Sequence, residues 1–124
     1  MEDSAENFFN EALDFAQLGQ YAEALASFDK VIAVTPDDAD AWSGRGVALV
    51  ALGRHTEALA SYDKAIAIDP DSSEAWVNRG NTLSALGRYP DAIISYDKSI
   101  ALNPADTRAR ENREIAFRHN KRSG

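Results

Sequence analysis

The sequence has 124 residues with 13 basic and 20 acidic side chains, a net charge of −7, and no cysteine. The acidic balance argues against a nucleic-acid-binding protein, which needs a basic face. The lack of cysteine excludes disulfides and thiolate metal sites and suits a reducing compartment, so we expect a cytoplasmic protein. The longest wholly apolar run, Val47 to Leu52, is far shorter than the roughly 20 residues of a membrane span. The N-terminus also lacks the pattern of a signal peptide, so we expect a soluble chain.

The first feature along the chain is a repeat with a period of 34 residues. It divides the chain into three repeats at about 5–38, 39–72 and 73–106, followed by a tail at about 107–124. The residues that recur at this step are Pro36, Pro70 and Pro104; Gly19, Gly53 and Gly87; Ala24, Ala58 and Ala92; Phe28, Tyr62 and Tyr96; and Trp42 and Trp76. Such a period predicts one helix pair per repeat, stacked on its neighbours.

The second repeat shows how the helices begin and end. Asp37 or Asp38 is suited to cap the first helix, and Gly53 to end it in a left-handed conformation. We expect the second helix to run from about Thr56 to Ile68, because proline at position 70 cannot continue it.

This pattern resembles that of the tetratricopeptide repeat family, whose 34-residue signature the second and third repeats match in register. The matching residues are Trp42-x-x-Arg45-Gly46-x-x-Leu49, Ala58-x-x-x-Tyr62 and Pro70, then Trp76-x-x-Arg79-Gly80-x-x-Leu83, Ala92-x-x-x-Tyr96 and Pro104. The first repeat is looser, with Phe8 in place of the tryptophan. The resemblance implies an all-α, right-handed superhelical α-solenoid of antiparallel helix pairs, with about seven helices and one domain over residues 1–124.

The tail resembles a capping helix that ends the stack. In this interpretation Arg108 stands where a fourth tryptophan would be, and Glu111 where leucine is usual. We expect Ile115 or Phe117 to anchor the cap on the preceding helix.

No catalytic arrangement stands out in the sequence. His55 lies in an interhelix turn, where packing explains it, and His119 lies in the tail without a suitably spaced partner for a metal. The glycines of GRGVALVALG belong to the repeat and lack the lysine of a phosphate-binding loop. We therefore expect a non-enzyme without cofactor or metal.

The resemblance implies that ligands bind on a concave face built mainly from the first helix of each repeat. The candidate peptide-binding residues are Phe9, Leu13, Ser43, Val47, Val50, Val77, Asn78, Asn81, Arg110 and Arg113. They predict an apolar floor with a basic corner at its C-terminal end. Family members that bind the acidic tails of heat-shock chaperones use a basic and asparagine clamp, and Phe9, Leu13 and Gly44 stand where that clamp is expected, so we predict a different ligand.

The leading functional hypothesis is a protein-interaction scaffold that binds a peptide or helix with two or three apolar anchors. An acidic end of that ligand would complement Arg110 and Arg113. Two alternatives stay open: a self-association module with exposed apolar ends, and a docking domain cut from a larger protein.

A second recurring stretch reads SFDK at 27–30 and SYDK at 61–64 and 95–98. Its aromatic residue is predicted to fill the core, its serine to be merely compatible with a helix, and its lysine to reach solvent. We expect its aspartates to pair with Arg45 and Arg79, either across adjacent repeats or within one. Both schemes leave one aspartate without an arginine, since the end positions are read as Glu11 and Glu111.

Overall fold

The computed structural model describes residues 4–123, and for Ser123 only the backbone. Within that range the chain forms seven α-helices and no strand, which confirms the predicted all-α fold of helix pairs. In chain order the helices are α1 Ser4–Gln17, α2 Tyr21–Val34, α3 Ala39–Ala51, α4 His55–Ile68, α5 Ser73–Ala85, α6 Tyr89–Leu102 and α7 Thr107–Ser123. Each repeat therefore supplies a first and a second helix, and the tail supplies α7.

Each repeat turns at a glycine in the left-handed backbone region. The three turn glycines are Gly19, Gly53 and Gly87, with φ of 75°, 77° and 77°. In the second repeat the amide of Arg54 donates to the carbonyl of Leu49 at 2.8 Å, which satisfies a carbonyl that the end of α3 leaves without a helical partner. The predicted stop at Gly53 is confirmed, and α4 begins at His55, one residue before the predicted start.

Short polar side chains cap the first helices of the second and third repeats. The carboxylate of Asp38 accepts a hydrogen bond from the amide of Ala41 at 3.2 Å, and the hydroxyl of Ser72 accepts one from the amide of Ala75 at 3.2 Å. Each bond satisfies an amide that lacks a partner in the first turn. Of the two predicted caps for α3, Asp38 is the one used.

The helix contacts divide the chain into two compact units, residues 1–69 and 70–124. In the N-terminal unit α1 packs on α2, α2 on α3, and α3 on α4. In the C-terminal unit α5 packs on α6, and α6 on α7. The boundary falls between the second and third repeats, and the single domain over residues 1–124 stays a prediction.

Within each unit, glycine lets a first helix approach an aromatic ring of its paired second helix. A Cβ atom on Gly46 would lie 2.6 Å from Cε1 of Tyr62, and one on Gly80 would lie 2.6 Å from Cε1 of Tyr96. Both tyrosines are buried. The rings therefore pack directly against backbone, as the recurrence of small and aromatic residues predicts.

The recurring aspartate and arginine pair across adjacent repeats. Nε of Arg45 donates to the carboxylate of Asp29 at 2.7 Å in the N-terminal unit. In the C-terminal unit Nε of Arg113 donates to Asp97 at 2.5 Å. Arg113 follows Arg79 by 34 residues, so the end position lies two residues beyond the predicted Glu111, and the prediction that one aspartate lacks an arginine was wrong at Asp97.

The serine of the same stretch has a specific partner that the sequence did not reveal. Nη1 of Arg45 donates to Oγ of Ser61 at 2.6 Å, and Nη1 of Arg79 donates to Oγ of Ser95 at 2.6 Å. Both serines are fully buried. A buried hydroxyl needs a hydrogen-bond partner, so these serines are part of the arginine contact and not simply tolerated in a helix.

The lysine of the stretch lies over an aromatic ring and does not simply point into solvent. Nζ of Lys64 lies 5.8 Å from the centre of the Trp42 ring, and Nζ of Lys98 lies 5.9 Å from that of Trp76. At this distance the ammonium group is attracted by the negative face of the ring. All four residue types of SYDK therefore make contacts with a first helix.

Helix α7 docks through small residues. Ala109 and Ala116 are buried, whereas Ile115 and Phe117 are about half exposed. The prediction that Ile115 or Phe117 anchors the cap was therefore wrong. Small residues allow α7 to lie close to α6, and bulky side chains on that face would hold the two helices apart.

Candidate functional site

Five of the predicted binding residues lie in the N-terminal unit. Leu13 on α1 and Val47 on α3 are 43% and 45% exposed. Phe9, Ser43 and Val50 are half-buried. The ring of Phe9 meets that of Phe28 edge-on, with centres 5.8 Å apart, and Val50 packs against the core around Tyr62. Leu13 and Val47 are therefore the members of this group with the most surface available to a ligand.

A shallow cleft opens beside Phe9 in the same unit. Its lining residues are Ala5, Glu6, Phe9, Asn10, Asp38 and Asp40. Three carboxylates thus surround one aromatic side chain. The surface at this end of the chain is apolar and acidic, and we call it the acidic cleft.

In the C-terminal unit the predicted residues fall on both sides of α5. Val77 is only 1% exposed and belongs to the core, so its assignment to a binding surface was wrong. Asn78 is half-buried, and Asn81 is exposed. The asparagines therefore stay at the surface, while the apolar residue between Trp76 and Asn78 packs inside.

Asn81 is held by a network of polar side chains. Its Oδ1 accepts hydrogen bonds from the Tyr96 hydroxyl at 2.7 Å and from Nδ2 of Asn112 at 3.0 Å. Oγ of Ser84 lies 3.3 Å from the same hydroxyl. Burial raises the pKa of Tyr96 above its usual value, and the contact with Ser84 opposes that rise only in part. The tyrosine therefore stays neutral and fixes the amide of Asn81.

The predicted basic corner does not form beside these asparagines. Arg113 binds Asp97 of α6, and its guanidinium lies 5.9 Å from the centre of the Phe117 ring. Arg110 is exposed and occupies the position 34 residues after Trp76. Neither arginine has a recorded contact with α5.

Two residues that the sequence analysis missed reach α5 from α7. One is Asn112, which contacts Asn81, and the other is Arg108, whose Nη2 lies 3.3 Å from the carboxylate of Glu74. Arg108 also binds Asp106, and its hydrogen bonds hold the pKa of Asp106 below the usual value. Both residues could have been found by adding 34 to Asn78 and Glu74, because the tail had been aligned two residues out of step.

The corrected alignment gives four residues at equivalent positions on the first helices and α7. We call them the Leu13 series: Leu13, Val47, Asn81 and Ile115. Ile115 is 48% exposed, close to the values for Leu13 and Val47, and Asn81 is also exposed. Position by position, the series lies at the surface of each unit, and three of its four members are large and apolar.

Two further features bear on what the surface can do. Among residues 4–123, no group of three or more histidine, cysteine or acidic side chains is arranged to hold a metal ion. In the same part of the chain, no helix has the length and apolar character needed to cross a membrane.

Family models for the tetratricopeptide repeat match residues 9–73 and 61–94. The first match alone covers more than half of the sequence, so the chain belongs to the tetratricopeptide repeat family. No curated protein is similar enough in sequence to be counted as a relative.

Solved structures with the same fold include three tetratricopeptide repeat domains. The Sgt2 domain from Aspergillus fumigatus has a TM-score of 0.92 and 21% identity, over 98% of this chain and 82% of that one. The OM64 domain from Arabidopsis has a TM-score of 0.91 and 21% identity, over 94% and 96%. The first repeat domain of Spaghetti (RPAP3), bound to the HSP90 peptide SRMEEVD, has a TM-score of 0.91 and 20% identity, over 93% and 91%. At this level of identity the likeness establishes the fold of helix pairs.

Proposed function

We propose that this chain is a non-catalytic protein-interaction scaffold that binds a peptide or a helical segment of a partner protein. The Leu13 series carries the proposal, because large apolar side chains stay exposed at one equivalent position of α1, α3 and α7. Repeated exposure of apolar side chains is typical of an interaction surface, since burial in the core would stabilise them. Leu13 and Val47 are the anchors in the N-terminal unit.

The C-terminal unit offers a polar surface of its own. The side-chain amide of Asn81 can donate and accept hydrogen bonds, as a peptide backbone does. Because its Oδ1 already accepts bonds from Tyr96 and Asn112, its Nδ2 is oriented to donate to a ligand carbonyl. Together the two surfaces suit a ligand with apolar anchors and an accessible backbone, bound with an affinity on the order of micromolar.

The solved structures lend support to peptide binding as a use of this fold. Two RPAP3 domains are seen with peptides of HSP90 and HSP70. In this chain Phe9 and Leu13 stand where the family's clamp for such acidic tails is expected to have polar and basic residues. An acidic cleft also lies at that end, so we propose a ligand other than a chaperone tail. The cytoplasmic location and the alternative of a docking domain from a larger protein stay predictions.

The test uses peptides selected for binding from a random display library. We expect Leu13→Lys combined with Val47→Lys to weaken binding of the selected peptides at least about tenfold, because two apolar contacts are replaced by charge. Ile94→Lys is the matched control, since Ile94 is 57% exposed on α6 and lies outside the Leu13 series. Thermal unfolding followed by circular dichroism should be close to wild type for all variants. Equal affinity of wild type and the double variant would overturn the assignment of this surface.

A further inference from the structure

The outward face of α7 has no helix packed against it in the C-terminal unit and is rich in basic residues. Helix α7 contains six basic and two acidic side chains. Its buried face, with Ala109 and Ala116, packs on α6. A shallow cleft on the outward side is lined by Arg110, Glu111, Glu114, Ile115 and Arg118. We call this surface the α7 face.

Charge is distributed very unevenly between the two units. Residues 1–69 contain 13 acidic and four basic side chains, a net charge of −9, and residues 70–124 have a net charge of +2. Within the first of these, the acidic cleft places Glu6, Asp38 and Asp40 around Phe9. The α7 face therefore has its complement in sign and in apolar character on the surface of another copy of the same chain.

We propose that the chain associates head to tail, with the α7 face of one copy docked in the acidic cleft of a second copy. Arg110 and Arg118 lie against the carboxylates of the cleft, and Ile115 approaches the ring of Phe9. The contact is heterologous, so each copy keeps one free surface of each kind, and association continues beyond a dimer unless a ring closes. An interaction of this kind is steered by charge and weakens as salt is raised, since the Debye length falls from about 8 Å at physiological salt to about 3 Å at 1 M.

The test compares charge-reversed variants of the full chain by sedimentation velocity over a range of concentrations at low salt. Wild type is expected to show a mass that rises with concentration and falls at 1 M salt. Arg110→Glu with Arg118→Glu should weaken association about tenfold or more, and so should Glu6→Lys with Asp40→Lys. The second result is the sharper one, because that variant has a net charge of −3 and less general repulsion than wild type, at −7.

The variant with all four reversals provides the decisive comparison. It regains the wild-type net charge with the signs of the two surfaces exchanged, so we expect association to return to within about threefold of wild type. Arg54→Glu with Arg88→Glu is the matched control for net charge, since these exposed arginines pair with Glu57 and Asp91 away from both surfaces. This control should still associate.

Three outcomes would overturn the proposal. Wild type is a monomer at every concentration; the four-fold variant stays a monomer; or the variant of Glu6 and Asp40 associates as wild type does, which indicates a two-fold contact between α7 helices. None of the four reversed residues belongs to the Leu13 series, so loss of self-association with intact peptide binding, or the reverse, separates this inference from the proposed function.

Discussion

Nη1 of Arg45 donates a hydrogen bond of 2.6 Å to the buried Oγ of Ser61, while Nε of the same guanidinium donates to Asp29 at 2.7 Å. One side chain of α3 thus holds the helix before it and the helix after it. The planar guanidinium makes this possible because its donors point in several fixed directions. Lysine, a single point charge, could not replace it.

A double-mutant cycle should measure this contact. We expect Arg45→Met and Ser61→Ala to be coupled by about 1 kcal/mol in the free energy of unfolding, because a buried hydroxyl loses its partner in either single variant. The corresponding cycle with Asp29→Asn should give about 0.5 kcal/mol, since that carboxylate is half exposed and screened by water. Urea unfolding of the single and double variants gives both values, and purely additive losses for Arg45 and Ser61 would contradict the assignment.

Gly46→Ala should lower the free energy of unfolding by about 2 kcal/mol, since its Cβ would overlap the ring of Tyr62. Ala51→Ser at the exposed end of α3 is the control and should change the free energy by less than about 0.5 kcal/mol. Combining Gly46→Ala with Tyr62→Leu should cost less than the sum of the two single changes, because the smaller side chain makes room for the methyl group. Additivity in urea unfolding would show that the close approach is not what Gly46 provides.

Tyr96 should make the protein less stable in alkali. Its folded-state pKa is raised by burial, so its stabilising contribution is complete below the unfolded value of about 10 and is lost as pH rises through the folded value. Tyr96→Phe removes the titrating group, and Phe28 shows that the repeat accepts phenylalanine at this position. We expect the fall in stability between pH 9 and pH 11, measured by urea unfolding, to be smaller in Tyr96→Phe than in wild type. An equal or steeper fall would count against the buried phenol.

Asp106 should make the attachment of α7 sensitive to acid. Hydrogen bonds from Arg108 lower the pKa of this carboxyl, so its contribution is present above the unfolded value of about 4 and is lost as pH falls through the lower folded value. Asp106→Asn should therefore flatten the decrease in Tm between pH 6 and pH 3, while lowering Tm at pH 6. Asp37→Asn, at an exposed position outside this contact, controls for the loss of one carboxylate. If both variants change the profile equally, the contact with Arg108 is not the cause.

Much of the fold follows from the sequence alone. The 34-residue step gives the helix pairs, the turns at glycine and the burial of Tyr62 and Tyr96, because each depends on a local conformational preference or on side-chain size at a fixed spacing. The exposure of Leu13 and Val47 agrees with their variation between repeats. These features repeat, so three copies in one chain reveal them.

The choice of contacts was decided by the tertiary structure. A carboxylate on a second helix can reach an arginine before or after it at the same sequence distance, and only the packing of α2 on α3 and of α6 on α7 brings Asp29 to Arg45 and Asp97 to Arg113. The tail shows the same limit. Its polar sequence gives a weak periodic signal, so its alignment was two residues out of step until Ala109 and Ala116 were seen to pack and Asn112 to reach Asn81. Sequence spacing determined which residues repeat, and helix packing determined which of their polar atoms meet, because hydrogen bonds depend on distances of a few tenths of an ångström that no spacing rule resolves.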